Sequence, residues 1–223
     1  MENFFSEQFE QKVDVKEQTT NTLIKTKLPE NRQLLETTSD PLYKIPVFLS
    51  YARPYNNLQQ VFLDRIISNI QRGLLFPRTL GRSDQYTIEP LPSIRRMMLS
   101  SFGLLAVAFR RVFVTNAVSR PGTVQEQTFT DFWLTSPYLQ IEPSMAFQVG
   151  LPIMLMVEDG VSTNNVFGGV LEQGAGPFNI IRFSINDLDS IENFFNNNVF
   201  WKETFEDWVG QVRCYYQRKT EPN

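Results

Sequence analysis

The sequence predicts an α/β protein with an open parallel sheet of about five strands, flanked by helices, and a helical C-terminal extension. Three observations predict this fold class. Short apolar segments alternate with helical segments across residues 45–185. The runs at 104–109 and 153–157 contain no polar residue, which is typical of strands covered on both faces. Residues 58–72 carry apolar side chains at helical spacing and stop at Gly73. Such alternation favours a parallel sheet with right-handed crossovers.

Five short apolar segments supply the predicted strands: 46–50, 74–76, 104–109, 153–157 and 180–183. The third of them is the central strand and lies within the longer segment 103–114. Helical periodicity predicts helices at 58–72, 93–101, 136–150 and 188–218. Residues 115–127 are predominantly polar, and we interpret them as a loop.

The helix before the fourth strand contains a single carboxylate. Ile141, Met145 and Val149 recur at i, i+4 and i+8, so they are predicted to share the buried face. Glu142 is then expected in the first turn of this helix, and Gly150 is expected to end it.

Three regions follow from these patterns. Residues 1–44 are rich in Glu, Gln, Thr, Asn and Lys without a sustained period, so they are predicted to be a disordered tail or a docking arm. Residues 45–185 form the predicted α/β domain. Residues 186–223 form the predicted helical extension, whose regularly spaced aromatic residues are expected to pack on the domain.

Composition excludes several classes of function. A net charge of −3 with both signs mixed provides no basic surface for nucleic acid. No apolar run approaches the roughly 18 residues of a membrane span, and the first residues do not resemble a signal peptide. The single cysteine, Cys214, excludes an internal disulfide and a multi-cysteine metal site, and it is expected to be at least partly buried. A cytoplasmic protein without a bound metal is therefore expected.

The chain contains no histidine. Ser-His-Asp and Cys-His nucleophile systems are therefore excluded, as are zinc sites with histidine ligands. If the protein is an enzyme, acid-base and electrostatic catalysis must come from Asp, Glu, Lys or Tyr side chains or from the substrate, and carboxylates are the first candidates.

Two segments resemble known families. Residues 47–53, Val-Phe-Leu-Ser-Tyr-Ala-Arg, resemble the opening box of TIR domains. A second set of residues resembles the TIR segment that carries a catalytic glutamate: Trp133, Ser136, Pro137, Glu142, Ala146, Gly150 and Pro152. The Glu-x-x-x-Ala-x-x-x-Gly-x-Pro part is also similar to nucleoside 2-deoxyribosyltransferases. The resemblance covers roughly residues 45–185 and implies a flavodoxin-like sheet and glutamate-dependent cleavage of an N-glycosidic bond. Residues 115–127, the C-terminal helical region and the N-terminal extension depart from compact TIR domains.

The resemblance implies a catalytic role for Glu142. The alternative is a structural acid that interacts with the helix dipole at the start of its helix, an effect worth roughly 0.3–1 kcal/mol. The substrate-binding candidates are Ser50, Tyr51, Arg53, Arg82, Ser83, Trp133, Ser136 and Tyr138. Arg53 could instead be a surface residue of a strand-end turn, and Trp133 and Tyr138 could instead be aromatic residues of the core.

Three functions remain open from the sequence. The first is an NAD-cleaving TIR-like enzyme, either a glycohydrolase or a cyclase that makes a cyclic ADP-ribose-type signal, as in bacterial antiphage systems such as Thoeris. NAD would be its substrate, no further cofactor is expected, and the protein would form a homo-oligomer or act with an effector protein. The second is a glutamate-dependent base-exchange enzyme acting on nucleosides or deoxynucleotides. The third is a non-catalytic TIR-like interaction or sensing module.

Overall fold

The computed structural model describes residues 44–81, 83–84, 89–164, 166–172, 174, 176 and 178–221. All of them belong to the unit Asp40–Asn223. The extension predicted for residues 1–44 lies outside the described residues except for Lys44, and so does the predicted site residue Arg82.

Five parallel strands form the central sheet. They are β1 (Ile45–Tyr51), β2 (Leu75–Arg78), β3 (Leu104–Ala108), β6 (Ile153–Glu158) and β7 (Asn179–Phe183). Their order is β2-β1-β3-β6-β7, and every neighbouring pair is parallel. This is the strand order of a flavodoxin-like sheet. The predicted fold class is confirmed, and all five predicted strands are present.

Five α-helices accompany the sheet within the described residues. They are α1 (Asn57–Arg72), α2 (Pro90–Leu99), α3 (Tyr138–Gln148), α4 (Leu188–Asn197) and α5 (Val199–Thr220). A single 3₁₀ turn, Gly169–Leu171, lies before β7 in the described part of the loop. The predicted helical region 188–218 is two helices, because Asn198 ends α4 and its side chain accepts a hydrogen bond from the Trp201 amide at the start of α5. None of the described helices has the length and apolar character needed to cross a membrane.

The helices form two contact groups, as expected for a sheet covered on both faces. α2 packs with α3, and α3 packs on β1, β3 and β6. α1 packs with α4, and α4 packs with α5. Phe62 of α1 stacks on Phe183 of β7 at a centroid distance of 4.1 Å and contacts two rings of α4. The predicted aromatic packing of the C-terminal region is therefore present, although Phe200 is exposed and so is Cys214.

Residues 112–134 form an antiparallel hairpin, which contradicts the predicted loop at 115–127. Its strands are β4 (Val112–Ser119) and β5 (Gln127–Leu134). β4 is rich in Val and β5 combines Thr with aromatic residues, and both compositions suit strands with one or both faces in water. Their exposure made the segment resemble a polar loop. At the base of the hairpin, the Trp133 amide donates to the Gly160 carbonyl at 3.1 Å, and the Trp133 carbonyl accepts from the Ser162 amide at 2.8 Å.

The predicted buried face of α3 is wrong. Ile141 and Val149 are each 37% exposed. The buried residues are instead Leu139, Glu142, Pro143 and Ala146, at i, i+3, i+4 and i+7. The reason is that the face toward the sheet includes the carboxylate, which a purely apolar pattern assigns to the solvent side.

We predict opposite effects for two glycine substitutions next to or within α5. A Cβ at the buried Gly103 would lie 2.5 Å from Val212 Cγ2, so Gly103→Ala overpacks the contact between α5 and the sheet. We expect a loss of about 1–3 kcal/mol in the free energy of unfolding. The matched control is Gly210→Ala within α5, where a Cβ meets nothing within 4 Å. The higher helix propensity of Ala should raise the free energy of unfolding of this variant by as much as about 1 kcal/mol. Urea denaturation measures both changes, and a shift of both variants in the same direction would contradict this packing.

Candidate functional site

Ser50 and Glu142 meet at the carboxyl end of β1. Ser50 is the penultimate residue of β1, and Glu142 lies in the second turn of α3, 92 positions later. The Ser50 hydroxyl donates a hydrogen bond to Glu142 Oε2. Both side chains are buried, and Glu142 is 7% exposed. The two segments that carry the resemblance are therefore in direct contact.

The position in the sheet favours a binding site. β1 lies between β2 and β3, so the connections that leave β1 and β2 run in opposite directions across the sheet. In open α/β sheets, ligands bind outside the carboxyl ends of the strands at such a topological switch point. Ser50 lies at this edge, and Tyr51 pairs with Val107 of β3 beside it.

The protonation of Glu142 is shifted by its surroundings. Burial raises the pKa of Glu142 from its ordinary value of 4.5 to about 7, and the hydrogen bond from Ser50 opposes the rise. No ion pair to Glu142 is present among the described residues. Both the neutral and the charged form are therefore populated near neutral pH. Perturbed carboxyl groups of this kind are enriched at active sites.

The structural alternative for Glu142 does not fit its position. An acid that interacts with the helix dipole belongs to the first turn and faces solvent or the free amides there. α3 has no acidic residue in its first turn, and Glu142 lies one turn further on, against the sheet.

A second buried glutamate, Glu158, lies at the same edge and has several hydrogen-bond donors. Glu158 ends β6 and is 4% exposed. Its Oε2 accepts hydrogen bonds from Gln59 Nε2 and from the Arg110 amide, both at 2.8 Å. The Arg110 Nε lies 3.7 Å from its Oε1. These partners compensate the burial of Glu158, whereas Ser50 is the one side chain that bonds to Glu142 among the described residues.

Gln140 fixes the loop that follows β6 against α3. Its Nε2 donates to the Gly168 carbonyl at 2.8 Å, and its Oε1 accepts from the Val170 amide at 2.9 Å. Gly169 has a φ of +52°, and a Cβ there would collide with the Gln140 side chain. The loop is thus held two residues from Glu142 along the helix.

The predicted residues near β1 and β2 differ in their surroundings. Tyr51 is half-buried and packs on the core, while Arg53 is exposed. Ser83 belongs to a local turn, where its hydroxyl accepts from the Thr79 amide at 2.6 Å and bonds to Asp84 Oδ2 at 2.9 Å. The Ser83 hydroxyl is therefore engaged within its own turn.

The predicted residues before and within α3 also differ in their burial. Ser136 is buried, and its carbonyl accepts from the Leu139 amide at 3.0 Å at the start of the helix. Tyr138 is the first residue of α3 and is 40% exposed, so it does not belong to the core. Trp133 is half-buried at the base of the hairpin and lies beside Tyr55.

Sequence reasoning missed Gln59, Glu158 and Gln140. Glu158 directly follows an apolar run at the carboxyl end of a strand, which was an available signal. Gln59 and Gln140 are polar residues within amphipathic helices, and their partners are distant in sequence. Within the described part of the chain, no three Cys, Asp or Glu side chains are grouped so that they could hold a metal ion.

Comparisons with known proteins find resemblance to solved structures alone. No protein-family model matches the chain. No curated protein matches it either. A CMP N-glycosidase of Clostridium botulinum, BcmB, is 12% identical with a TM-score of 0.35 and covers 62% of this chain and 88% of its own.

Two further structures resemble it to a similar degree. The TIR domains of the activated Roq1 resistosome, which recognises the pathogen effector XopQ, are 10% identical with a TM-score of 0.35, over 77% of this chain and 83% of that one. A diflavin flavoprotein A3 from Nostoc sp. is 10% identical with a TM-score of 0.39, over 79% and 96%. These values are too low to support any argument about activity.

We predict that Glu142 reduces stability at neutral pH. The unfolded chain loses this proton near pH 4.5 and the folded chain near pH 7, so the contribution of this group to the free energy of unfolding falls as the pH rises between them. Glu142→Gln can still accept the Ser50 hydrogen bond but carries no charge. We expect it to be more stable than the wild type above pH 7, by on the order of 3 kcal/mol, with little difference below pH 4.5.

Urea denaturation across this pH range measures the difference. Glu206→Gln, at an exposed position of α5, is the matched control and should follow the wild type at every pH. A Glu142→Gln variant whose stability stays parallel to the wild type from pH 4.5 to pH 7 would show that the carboxyl group is not desolvated.

Proposed function

We propose that this protein is a TIR-like enzyme that cleaves the N-glycosidic bond between nicotinamide and ribose in NAD, with Glu142 as its catalytic residue. The observation that supports the proposal is the buried, sparsely bonded Glu142 carboxyl group, held by Ser50 at the carboxyl edge of the sheet. The sequence resemblance to TIR domains supports the choice of NAD.

The chemistry suits a single carboxylate. Nicotinamide in NAD is a cationic leaving group, so it departs with the bonding electron pair as a neutral molecule and needs no general acid. The ribose anomeric carbon becomes oxocarbenium-like as the bond breaks. A carboxylate fixed beside that carbon stabilises the developing positive charge most strongly where water is excluded. Histidine is not required for any of these steps.

Glu142 also suits the second half of the reaction. Water that attacks the anomeric carbon must lose a proton, and a carboxylate with a pKa near 7 is a suitable base at neutral pH. The product of this step is ADP-ribose. If a nitrogen or oxygen of the same nucleotide attacks instead, the product is a cyclic ADP-ribose-type molecule.

Two of the other predicted residues receive supporting roles. Ser50 fixes the orientation of the carboxyl group through its hydrogen bond. Arg53 is exposed beyond β1, and its guanidinium suits the diphosphate of NAD.

The resemblance to antiphage TIR-like proteins further supports a role in bacterial defence, with activity in a homo-oligomer or with an effector protein.

The first test is NAD turnover by the purified full chain, with products identified by mass spectrometry. We expect Glu142→Gln to lower kcat by at least about 100-fold, because the charge that stabilises the transition state is lost while the shape is kept. Glu206→Gln should retain the wild-type rate. NAD turnover that survives in Glu142→Gln would reject the proposed role of Glu142.

The same assay should include a deoxynucleoside with a free base. Base exchange there without NAD cleavage would indicate a nucleoside 2-deoxyribosyltransferase-like activity instead. If no turnover of either substrate is seen with the assembled protein, the non-catalytic interaction module becomes the better explanation.

The second test is the pH dependence of kcat/KM, which reports the ionisation of the free enzyme. If the charged form of Glu142 is the active one, kcat/KM should rise with pH and reach half its plateau near pH 7. Ser50→Ala removes the hydrogen bond that favours the charged form, so its midpoint should move to higher pH. Ser144→Ala on the same helix, whose hydroxyl bonds to the Gln140 carbonyl, should leave the midpoint unchanged. A midpoint that does not respond to Ser50→Ala would assign the ionisation to another group.

A further inference from the structure

Gln59 is a buried glutamine in the first turn of α1, and 0% of its surface is exposed. Its side chain makes three hydrogen bonds. Nε2 donates to Glu158 Oε2 at 2.8 Å and to the Arg110 carbonyl at 3.3 Å, and Oε1 accepts from the Tyr55 amide at 3.2 Å. A carboxylate and a carbonyl only accept, and a backbone N–H only donates. One orientation of the Gln59 amide group therefore satisfies all three partners.

Helix capping explains only part of this arrangement. The N-cap of α1 is Asn56, whose side chain accepts from the backbone amide of Gln59 at 2.8 Å. In a capping box, the side chain at the third helical position returns to the amide of the N-cap residue. Gln59 reaches one residue further back, to Tyr55, and its Nε2 is bound by Glu158. Gln59 thus ties the loop after β1 to the end of β6.

The loop 52–56 between β1 and α1 carries Arg53 between two bound amides. The Ala52 amide donates to a carbonyl of β3 at 3.3 Å, and the Tyr55 amide donates to Gln59. Pro54 has a fixed φ and disfavours a helical backbone at the residue before it. The backbone that presents Arg53 is therefore restrained on both sides.

The Arg53 side chain has no hydrogen-bond or ion-pair partner among the described residues, and Arg53 is exposed. Arg65, Arg78 and Arg110, by contrast, each pair with a carboxylate. A guanidinium binds phosphate oxygens through two parallel hydrogen bonds. An unpaired guanidinium on a restrained backbone, at the edge where such sheets bind ligands, suits a phosphate group.

We propose that Gln59 is a positioning residue, which holds the loop 52–56 so that Arg53 binds a phosphate group of a nucleotide substrate. The reaction of that substrate rests on the proposed function, whereas the contact of Gln59 with the loop does not. Ser50 and Glu142 lie outside this network, since their hydrogen bond joins β1 to α3. Gln59 therefore affects substrate binding and leaves the chemical step unchanged.

The first measurement needs no ligand. In full-length Gln59→Met, hydrogen exchange of the Tyr55 amide should be at least about fivefold faster, as expected for one lost hydrogen bond. Methionine is unbranched and fills buried space without an amide group. The matched control is Gln60→Met, because the Gln60 side chain bonds to Asp64 within α1. An unchanged exchange rate of Tyr55 in Gln59→Met would overturn the proposal.

Binding is then measured by calorimetry in the full chain carrying Glu142→Gln, so that the nucleotide is not consumed. The probes are NAD, ADP and adenosine, and adenosine lacks the phosphates of ADP. Loss of a charge-assisted hydrogen bond predicts that Arg53→Ala weakens NAD and ADP by at least about tenfold. Gln59→Met should weaken both by at least about threefold, through the less ordered loop. Gln60→Met should bind like its parent.

The double variant separates positioning from an independent effect on the fold. If Gln59 acts through Arg53, then Gln59→Met adds nothing to Arg53→Ala, and the double variant binds NAD like Arg53→Ala alone. Effects that multiply would overturn the proposal. Equal weakening of adenosine and ADP by Arg53→Ala would do so as well, and so would a Glu142→Gln parent that binds no NAD.

Steady-state kinetics add a readout that a merely structural role would not move. Gln59→Met should raise the KM for NAD and keep kcat within about twofold, whereas partial unfolding lowers kcat by reducing the amount of active enzyme. Pro54→Gly loosens the same loop without disturbing the buried amide, so it should raise KM even where Gln59→Met fails to fold. A lower kcat at an unchanged KM in the folded variants would contradict positioning.

These outcomes are distinguishable from failure of the proposed function. Gln59-dependent binding of NAD and ADP, by a protein whose wild type cleaves no N-glycosidic bond, would retain the positioning role and reject the enzyme. NAD cleavage with an unchanged KM and unchanged Tyr55 exchange in Gln59→Met would retain the enzyme and reject the positioning role.

Discussion

The candidate site depends on one constraint, the burial of the Glu142 carboxyl group against the Ser50 hydroxyl. A carboxylate removed from water requires either an opposite charge or several hydrogen-bond donors. Glu142 receives a hydrogen bond from Ser50, and burial dominates its pKa. The sheet provides this setting, because α3 packs on the strands with Glu142 on its inward face. The chain thereby places a group that titrates near neutral pH at the edge where open α/β sheets generally bind their ligands.

Glu158 lies at the same edge under the opposite conditions. Two donors at 2.8 Å and a nearby guanidinium satisfy the Glu158 side chain, and its bonds join the first turn of α1, the loop after β3 and the end of β6. Such a satisfied polar group rigidifies its surroundings. The contrast separates two surroundings that sequence cannot distinguish, since both residues are single glutamates beside apolar segments. Glu158 has several donors, whereas Glu142 accepts one side-chain hydrogen bond among the described residues.

The fold could be predicted from the sequence because its signals are local. Apolar runs specify β3 and β6, and helical spacing with a terminal glycine specifies α1, so the five-stranded parallel sheet is confirmed. The hairpin at 112–134 was not predicted, because strands exposed to water carry few of the apolar residues that mark a core. The buried face of α3 was predicted wrongly for a related reason. Its inward face includes Glu142, and a rule that places polar residues outside cannot find a polar residue that is buried.

The candidate site could be predicted from the sequence only in part, and the reason is different. That Ser50 and Glu142 lie close together was expected from the sheet edge, and their hydrogen bond shows the contact, while their roles remain predictions. Three features depend on contacts between residues far apart in sequence or on turn geometry. They are the partners of Glu158, the hydrogen bonds of Ser83 within its own turn and the stacking of Tyr55 with Trp133. No periodicity encodes such pairs.

The absence of histidine gives the shifted carboxyl group its significance. Histidine is the side chain whose ordinary pKa allows it to gain and lose a proton near neutral pH. This chain has none, yet desolvation brings the pKa of Glu142 to about 7. The free energy that burial costs is therefore the source of the raised pKa. Additional donors would stabilise the fold and lower the pKa toward its ordinary value, and the group would then stay charged throughout the neutral range. Burial raises the pKa and the Ser50 hydroxyl lowers it, and together they leave the carboxyl group of Glu142 with a pKa of about 7.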